Sequence, residues 1–280
     1  IDFEQYKRPT LVRRIARRIS VNKLHNQREY LEFIRDNRVE SDILAREFLI
    51  GVTNFFRDLY MWEKLESRII TQLVAEKKEN EVFKVWCVGS SSGEEAYSIA
   101  MLISEEVKRQ DKKIQIKIFA TDLAANHLDI GSKGIYPESI VANVSPLRLR
   151  KFFVQRGDDY QVSDSLRKMV IFSQHNILKD PPFNKMDLTL CRNLLIYMQL
   201  PAQRKIIGLL HYSLNLKGIL VLGSSESLGD YSSVLNEIDR KCKIYENIKR
   251  AKARGLEPLN YPDAQKIASF NNLILCSSSS

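Results

Sequence analysis

The run Val85-Trp86-Cys87-Val88-Gly89-Ser90-Ser91-Ser92-Gly93-Glu94-Glu95 carries a β-rich segment through a small-residue turn into a helix start. Small residues at such a turn let the backbone approach a ligand closely, as binding of nucleotide-like molecules requires. Glu94 and Glu95 stand in the first helical turn, where acids complement the helix dipole. They would also repel a pyrophosphate and attract a cation such as the ammonium or sulfonium of S-adenosylmethionine. Ser91 replaces the middle glycine of a dinucleotide fingerprint, and no Gly-Lys-Ser/Thr follows, which counts against a P-loop. Asp122, at the carboxyl end of the next strand, is placed equally to bind ribose hydroxyls or to cap the following helix.

Three further clusters carry polar side chains that could do chemistry. His175-Asn176-Ile177 follows a strand at Val170 to Phe172, and Cys191-Arg192-Asn193-Leu194-Leu195-Ile196-Tyr197 follows a strand at Met186 to Leu190. Polar residues at the carboxyl edge of an open sheet are binding candidates by geometry, although an Asn such as Asn193 is more often a cap and a Tyr such as Tyr197 more often core. Thr53-Asn54-Phe55-Phe56-Arg57-Asp58 sets two aromatics beside an Arg-Asp pair. One reading buries the aromatics and pairs Arg57 with Asp58; the other frees Arg57 to hold an anionic carboxylate through paired hydrogen bonds. The residues alone lean slightly to the first.

The elements that must position these groups follow from periodicity. Apolar residues recur at helical spacing through Leu11, Ile15 and Ile19, then Tyr30, Leu31 and Ile34, then Leu44, Phe48 and Leu49, so residues 1–75 predict an all-helical unit. Ser41-Asp42 is a candidate helix start, and Asn54 precedes a second apolar run, Phe55, Phe56, Trp62 and Leu65. A charged stretch, Glu76 to Glu81, marks the boundary. From Val82 strands alternate with helices: Val82–Val88, helix Glu94–Arg109, strand Ile114–Thr121, strand Met186–Cys191, helix Pro201–Leu214 and strand Ile219–Leu222, with Cys242–Ile248 as an antiparallel edge. That alternation predicts a mostly parallel, doubly wound α/β sheet over 76–250. The tail 251–280, ending in serines, reads as a linker.

Composition bounds the possibilities. The 280 residues carry 43 Lys+Arg against 34 Asp+Glu, a net +9, with 44% hydrophobic side chains. Such a chain buries a core without disulfides or metal. Cys87, Cys191, Cys242 and Cys276 form no C-x-x-C pair, so no zinc site is expected and a reducing cytoplasm fits. No run approaches the ~18 apolar residues of a membrane span, and the start lacks both an initiator Met and a signal pattern, so a soluble fragment of a longer chain is expected. Residues 1–28 hold +6 of the +9, including Arg13, Arg14, Arg17 and Arg18. This basic stripe would suit nucleic acid, an anionic membrane or an acidic protein, or is a solvated helix face.

In order, Val52-Thr53-Asn54-Phe55-Phe56-Arg57-Asp58, the Gly89 to Ser98 turn, Ala120-Thr121-Asp122, His175 to Leu178, Cys191 to Tyr197 and Gly223-Ser224-Ser225-Glu226-Ser227-Leu228 resemble the chemotaxis receptor glutamate methyltransferases, the CheR family. The likeness covers roughly residues 3–250, and the opening Phe3 to Arg18 is most similar to the CheR part of CheB–CheR fusion proteins. The resemblance implies a helical N-terminal domain on a Rossmann-like methyltransferase domain with a small antiparallel β-subdomain at about 135–172. It implies S-adenosylmethionine, with S-adenosylhomocysteine as product, against Thr53, Arg57, Gly89, Glu95, Asp122, Asn176, Ile177, Arg192 and Asn193. Arg57 and Tyr197 would lie closest to methyl transfer. Gly51 departs from the family's usual Asn. The short Val154–Tyr160 segment resembles members that do not dock on a receptor's C-terminal pentapeptide.

The implied reaction methylates glutamate side chains of chemoreceptors. The implied partner is the receptor's acidic helical bundle, met by the basic first helix, with no nucleic acid or membrane insertion and a monomeric domain. Two other readings stay open: a nucleic-acid methyltransferase, disfavoured because Arg192-Asn193 stands where an Asn/Asp-Pro-Pro-Tyr loop would hold a base, and a catalytically idle cofactor-sensing domain, kept open by Gly51.

Overall fold

The computed structural model describes residues 3–250; the expected linker at 251–280 lies outside them. Three helices come first: α1 (Arg8–Val21), α2 (Gln27–Asp36) and α3 (Arg38–Phe48). Pro9 in the first turn of α1 loses no hydrogen bond there. Asn26 caps α2 by accepting from the Arg28 and Glu29 amides, both at 3.0 Å. Asn37 does the same for α3 through Glu40, so the helix begins at Arg38, three residues before the expected Ser41. Helix α4 (Leu59–Lys64) runs through a π-helical turn, Leu65–Ile70, into α5 (Thr71–Ala75). Its buried face, Trp62, Leu65, Ile69, Ile70 and Val74, packs into the core beneath the sheet.

The main sheet is built from β1 (Val82–Val88), β2 (Gln115–Asp122), β6 (Val170–Gln174), β7 (Met186–Cys191), β8 (Leu214–Leu222), β9 (Leu235–Asp239) and β10 (Ile244–Asn247), while β3 (Ile135–Pro137), β4 (Phe153–Arg156) and β5 (Asp159–Val162) form a separate small sheet. Strand order is β6-β2-β1-β7-β8-β10-β9, parallel through β8 and antiparallel at β10 and β9. β10 therefore lies inside β9 and is not the edge expected from sequence. Helix α6 (Glu94–Arg109) joins β1 to β2, and α7 (Ala125–Lys133) follows β2. Helices α8 (Pro146–Phe152) and α9 (Asp164–Arg167) flank the small sheet, and α10 (Leu200–Ser213) joins β7 to β8.

Alternation along β1 sends Val85 and Cys87 into the core shared with α6, and Trp86 and Val88 into the core shared with α10. Both faces being covered, β7 is buried at every position. Chain direction diverges between β1 and β7, since β2 lies to one side and β8 to the other, opening a crevice at their carboxyl ends.

The small antiparallel sheet, β3 (Ile135–Pro137), β5 (Asp159–Val162) and β4 (Phe153–Arg156), closes through a two-residue Gly157-Asp158 turn. Val170–Phe172, expected inside this subdomain, instead pairs in parallel with β2 at the edge of the main sheet. Short alternating runs do not identify their partner; here the chain passes through α9 and returns parallel. The Tyr136 hydroxyl donates to the Ser92 carbonyl at 2.7 Å and ties the small sheet to the β1–α6 turn.

The N-terminal segment also touches the carboxyl edge. Lys7 N–H donates to the Tyr197 carbonyl at 2.8 Å, and Gln199 N–H to the Gln5 carbonyl at 2.8 Å. Tyr6 is buried there, which pushes its hydroxyl pKa up to about 12. Phe3 packs edge-on to both Tyr6 and Phe48 of α3.

Candidate functional site

Gly93 lets the chain turn from β1 into α6: its φ is +93°, and a Cβ there would fall 2.7 Å from the Phe172 ring. Ser91 N–H donates to one carboxylate oxygen of Asp122 at 2.9 Å, and the other oxygen accepts from Ala124 N–H at 2.9 Å. Asp122 thus braces the turn and the start of α7 together. Of the two glutamates opening α6, Glu94 accepts from its own neighbour Ser92, while Glu95 faces a cavity.

That cavity is a solvent-open cleft at the carboxyl ends of β1 and β7, with an enclosed volume of about 40 Å³. Thr53, Arg57, Gly89, Glu95, Arg192, Asn193 and Tyr197, seven of the expected residues, line it with Ser90 and Ser91. Asp122, Asn176 and Ile177 do not. Asn176 accepts from Leu178 N–H at 3.0 Å in its own turn, and Ile177 is buried in the α10 core.

Arg192, 3% exposed at its side chain, organises the floor. It donates to Glu95 at 3.0 Å, to Asp58 at 2.5 Å and to the Arg57 carbonyl at 3.0 Å, with its guanidinium 5.8 Å from the centre of the Trp62 ring. Trp62 Nε1 donates to the same Arg57 carbonyl at 2.8 Å. The expected Arg57–Asp58 pair is therefore absent, because Asp58 turns to Arg192. The Arg57 guanidinium donates only to the Val52 carbonyl, at 3.0 Å, and forms no ion pair among the described residues. Phe55 and Phe56 are buried as the first reading expected.

Burial raises the Glu95 pKa against the opposing pull of Arg192, and Glu226 adds to the rise. Glu226 was not among the expected site residues. Its buried carboxylate accepts from the Gly223, Leu195 and Asn193 amides at 2.6, 2.7 and 3.2 Å and so holds the loop that presents Asn193 and Tyr197. Its signal in the sequence was the Gly223 to Leu228 motif. No motif spacing announces the backbone: Phe56, Asp58, Ser91 and Asn193 all take positive φ around the cavity, a conformation that costs a non-glycine residue about 1–3 kcal/mol and clusters at ligand sites.

Gly51 adjoins the cavity residues Ile50 and Val52, and the His127 ring packs on it so closely that a Cβ at Gly51 would fall 2.2 Å from Cε1. The space of the family's Asn side chain is occupied by His127.

The sulfonium cofactor expected from sequence fits this lining. Glu95 keeps one oxygen clear of Arg192, and the buried Ser90 and Ser91 hydroxyls have no hydrogen-bond partner among the described residues. No cluster of ligating side chains suited to a metal occurs among those residues, and none of their helices is long and apolar enough to cross a membrane.

Comparison with known proteins agrees with this architecture. The model of the CheR methyltransferase SAM binding domain matches residues 51–244, and that of the CheR all-alpha domain matches 1–49. The chain is 36% identical to an uncharacterised 104.1 kDa protein of Rhodobacter capsulatus over 89% of its length, spanning 26% of that protein. It is 31% identical to chemotaxis protein methyltransferase 2 of Vibrio cholerae, covering 84% of this chain and 83% of that one. The figure is 29% for the chemotaxis protein methyltransferase of Borreliella burgdorferi, over 81% and 83%. Among solved structures, a TehB-like SAM-dependent methyltransferase from Corynebacterium glutamicum aligns at 11% identity and TM-score 0.37, over 69% of this chain and 96% of that one. With an all-helical unit before a doubly wound sheet and the two family models matched in order over residues 1–49 and 51–244, the chain belongs to the CheR methyltransferases.

Proposed function

We propose that this chain transfers a methyl group from S-adenosylmethionine to glutamate side chains of chemoreceptors in the cytoplasm, forming methyl esters. The observation that carries the reading is Arg57, a cavity-lining guanidinium that feels the Glu95 carboxylate across the cavity but forms no salt bridge among the described residues, beside a Tyr197 whose hydroxyl makes no hydrogen bond among them. The bound cofactor supplies an electrophilic methyl group. Glu95 would hold its ammonium through the oxygen that Arg192 leaves clear, with Arg192 fixing the carboxylate; Thr53, Gly89 and Asn193 line the remainder of the cavity. Asp122, Asn176 and Ile177 sit at the strand ends beyond, where the nucleoside end would reach.

An accepting glutamate has an ordinary pKa of about 4.3 and arrives ionised at pH 7, so no general base is needed. Catalysis is alignment, in a solvent-open cleft that the bound cofactor and the receptor segment would close to water. Arg57 orients the carboxylate while its neighbours Phe55 and Phe56, buried at 2% and 4% exposure, keep the backbone still. Tyr197 donates a hydrogen bond beside it. A two-residue turn in the small sheet supports independence from a receptor pentapeptide.

Arg57→Ala tests the assignment. Calorimetry with S-adenosylhomocysteine should give binding close to wild type, and transfer of tritiated methyl to chemoreceptor-bearing membranes should vanish; normal turnover in the variant overturns the role given to Arg57.

A further inference from the structure

A second cationic cluster gathers around the Tyr60 ring at the carboxyl edge of the sheet. The turn of the β9–β10 hairpin, Arg240 to Lys243, lies at the carboxyl edge of the sheet: Ile244 is opposite Val221, and Leu222 N–H donates to the Lys243 carbonyl at 3.1 Å. Lys241 reaches across to place its ammonium 4.1 Å from the centre of the Tyr60 ring, and Lys64 approaches the same ring at 5.5 Å. Tyr60 is only two residues beyond Asp58, which is bonded to Arg192 in the cavity floor. Its ring is 43% exposed, and its neighbour Leu59 is 65% exposed.

Lys64, Arg240 and Lys241 are all exposed, and none forms a salt bridge among the described residues. The nearest acid of the hairpin, Asp239, is turned inward to accept from Cys242 N–H at 2.8 Å. Stacking on an aromatic face holds a long lysine chain in place, so its charge is presented at a defined position at low entropic cost. An apolar floor of Leu59 and Tyr60 beside Lys64, Arg240 and Lys241, cations that share the surface with Glu63 and Glu237 but form no salt bridge with them, matches an amphipathic segment with acidic side chains.

In the first helix Arg18 is drawn into close ion pairs, while Arg8, Arg13 and Arg14 form no salt bridge among the described residues. Arg18 is 11% exposed at its side chain and bound to Glu40 and Glu47, and Arg17 lies 4.0 Å from Glu47. Arg13 stays exposed and unpaired.

We propose that Tyr60, Lys64, Arg240 and Lys241 form a docking surface for the acidic helical segment that carries the accepting glutamate, gripping carboxylates that flank the methylated side chain. The inference rests on the glutamate-methylation reading and adds where the partner sits. Such a surface acts on encounter and ground-state binding, with little effect on the chemical step.

The test measures tritiated methyl transfer to chemoreceptor-bearing membranes by wild type, by Lys64→Glu/Lys241→Glu, and by the milder Lys64→Gln/Lys241→Gln. Binding of S-adenosylhomocysteine serves as the check on folding. The reversed variant should show KM for receptor raised about tenfold with kcat nearly unchanged, and the neutral variant a smaller rise with weaker dependence on salt. Unchanged KM and salt dependence in variants that bind S-adenosylhomocysteine normally overturns the docking surface and leaves glutamate methylation standing. Absence of transfer by the wild type itself overturns both.

Discussion

Two buried guanidinium–carboxylate networks, one between the N-terminal helices and one in the cavity floor, use the same groups to opposite effect. Glu40 accepts from Arg18 at 2.6 and 2.9 Å, from the Tyr30 hydroxyl at 2.8 Å and from Asn22 at 3.0 Å. These bonds, led by Arg18, hold its pKa below the usual carboxylate range. Glu95 receives one arm of an arginine that is shared with Asp58 and a backbone carbonyl, and burial drives its pKa up. The first network satisfies both Glu40 oxygens, leaves only one Glu47 oxygen without a hydrogen bond, and joins α1 to α2 and α3. The second is left unsaturated, which is what a site must be if a ligand is to complete it.

Removing the shared arginine should break the comparison most. Arg192→Met leaves Glu95 and Asp58 without their partner, and a loss of about 3–5 kcal/mol in denaturant unfolding is expected, with S-adenosylhomocysteine binding abolished in calorimetry. Glu40→Gln should cost less, about 1–3 kcal/mol, because Arg18 loses its charge partner but keeps Glu47. Its kcat per folded molecule should stay at the wild-type value, which separates a structural network from a functional one.

Gly51→Asn should displace the rotatable His127 ring at little cost in denaturant unfolding but weaken S-adenosylhomocysteine binding in calorimetry, and His127→Ala in the same chain should restore part of that binding. The smallest signal is the response to pH. A lowered Glu40 pKa contributes stability that is present above the unfolded carboxylate value and lost as pH falls through the folded one. For Glu95 the sign reverses: its contribution is full below the unfolded value and lost as pH rises through the raised folded value. Stability curves of Glu40→Gln and Glu95→Gln measured against wild type between pH 3 and 7, about the window where carboxylates titrate, should therefore diverge in opposite directions.

The pattern of the sequence reached far into this fold. Helix Glu94–Arg109 and strands Val82–Val88 and Met186–Cys191 fall where periodicity places them, because each is long, apolar and flanked by turn residues. Val170–Gln174 shows the limit: a five-residue strand states its type and not its partner. Arg18 shows another, since helical spacing set it on a basic stripe while its acceptor lies 22 residues away on a different helix. In the cavity, side-chain chemistry was legible in short motifs, and Thr53, Arg57, Glu95 and Tyr197 do converge. The pairing of Arg192 with Asp58 across 134 positions, which frees Arg57, was not legible, because local sequence holds no record of it.

The central claim is that the unpaired Arg57 delivers a receptor carboxylate to the methyl group. Base-labile label released as methanol, after incubation of the protein and tritiated S-adenosylmethionine with chemoreceptor-bearing membranes, tests it most directly. The account predicts such label with wild type and its loss in Arg57→Ala at intact S-adenosylhomocysteine binding. Label that resists base, or equal base-labile label from both proteins, would contradict it.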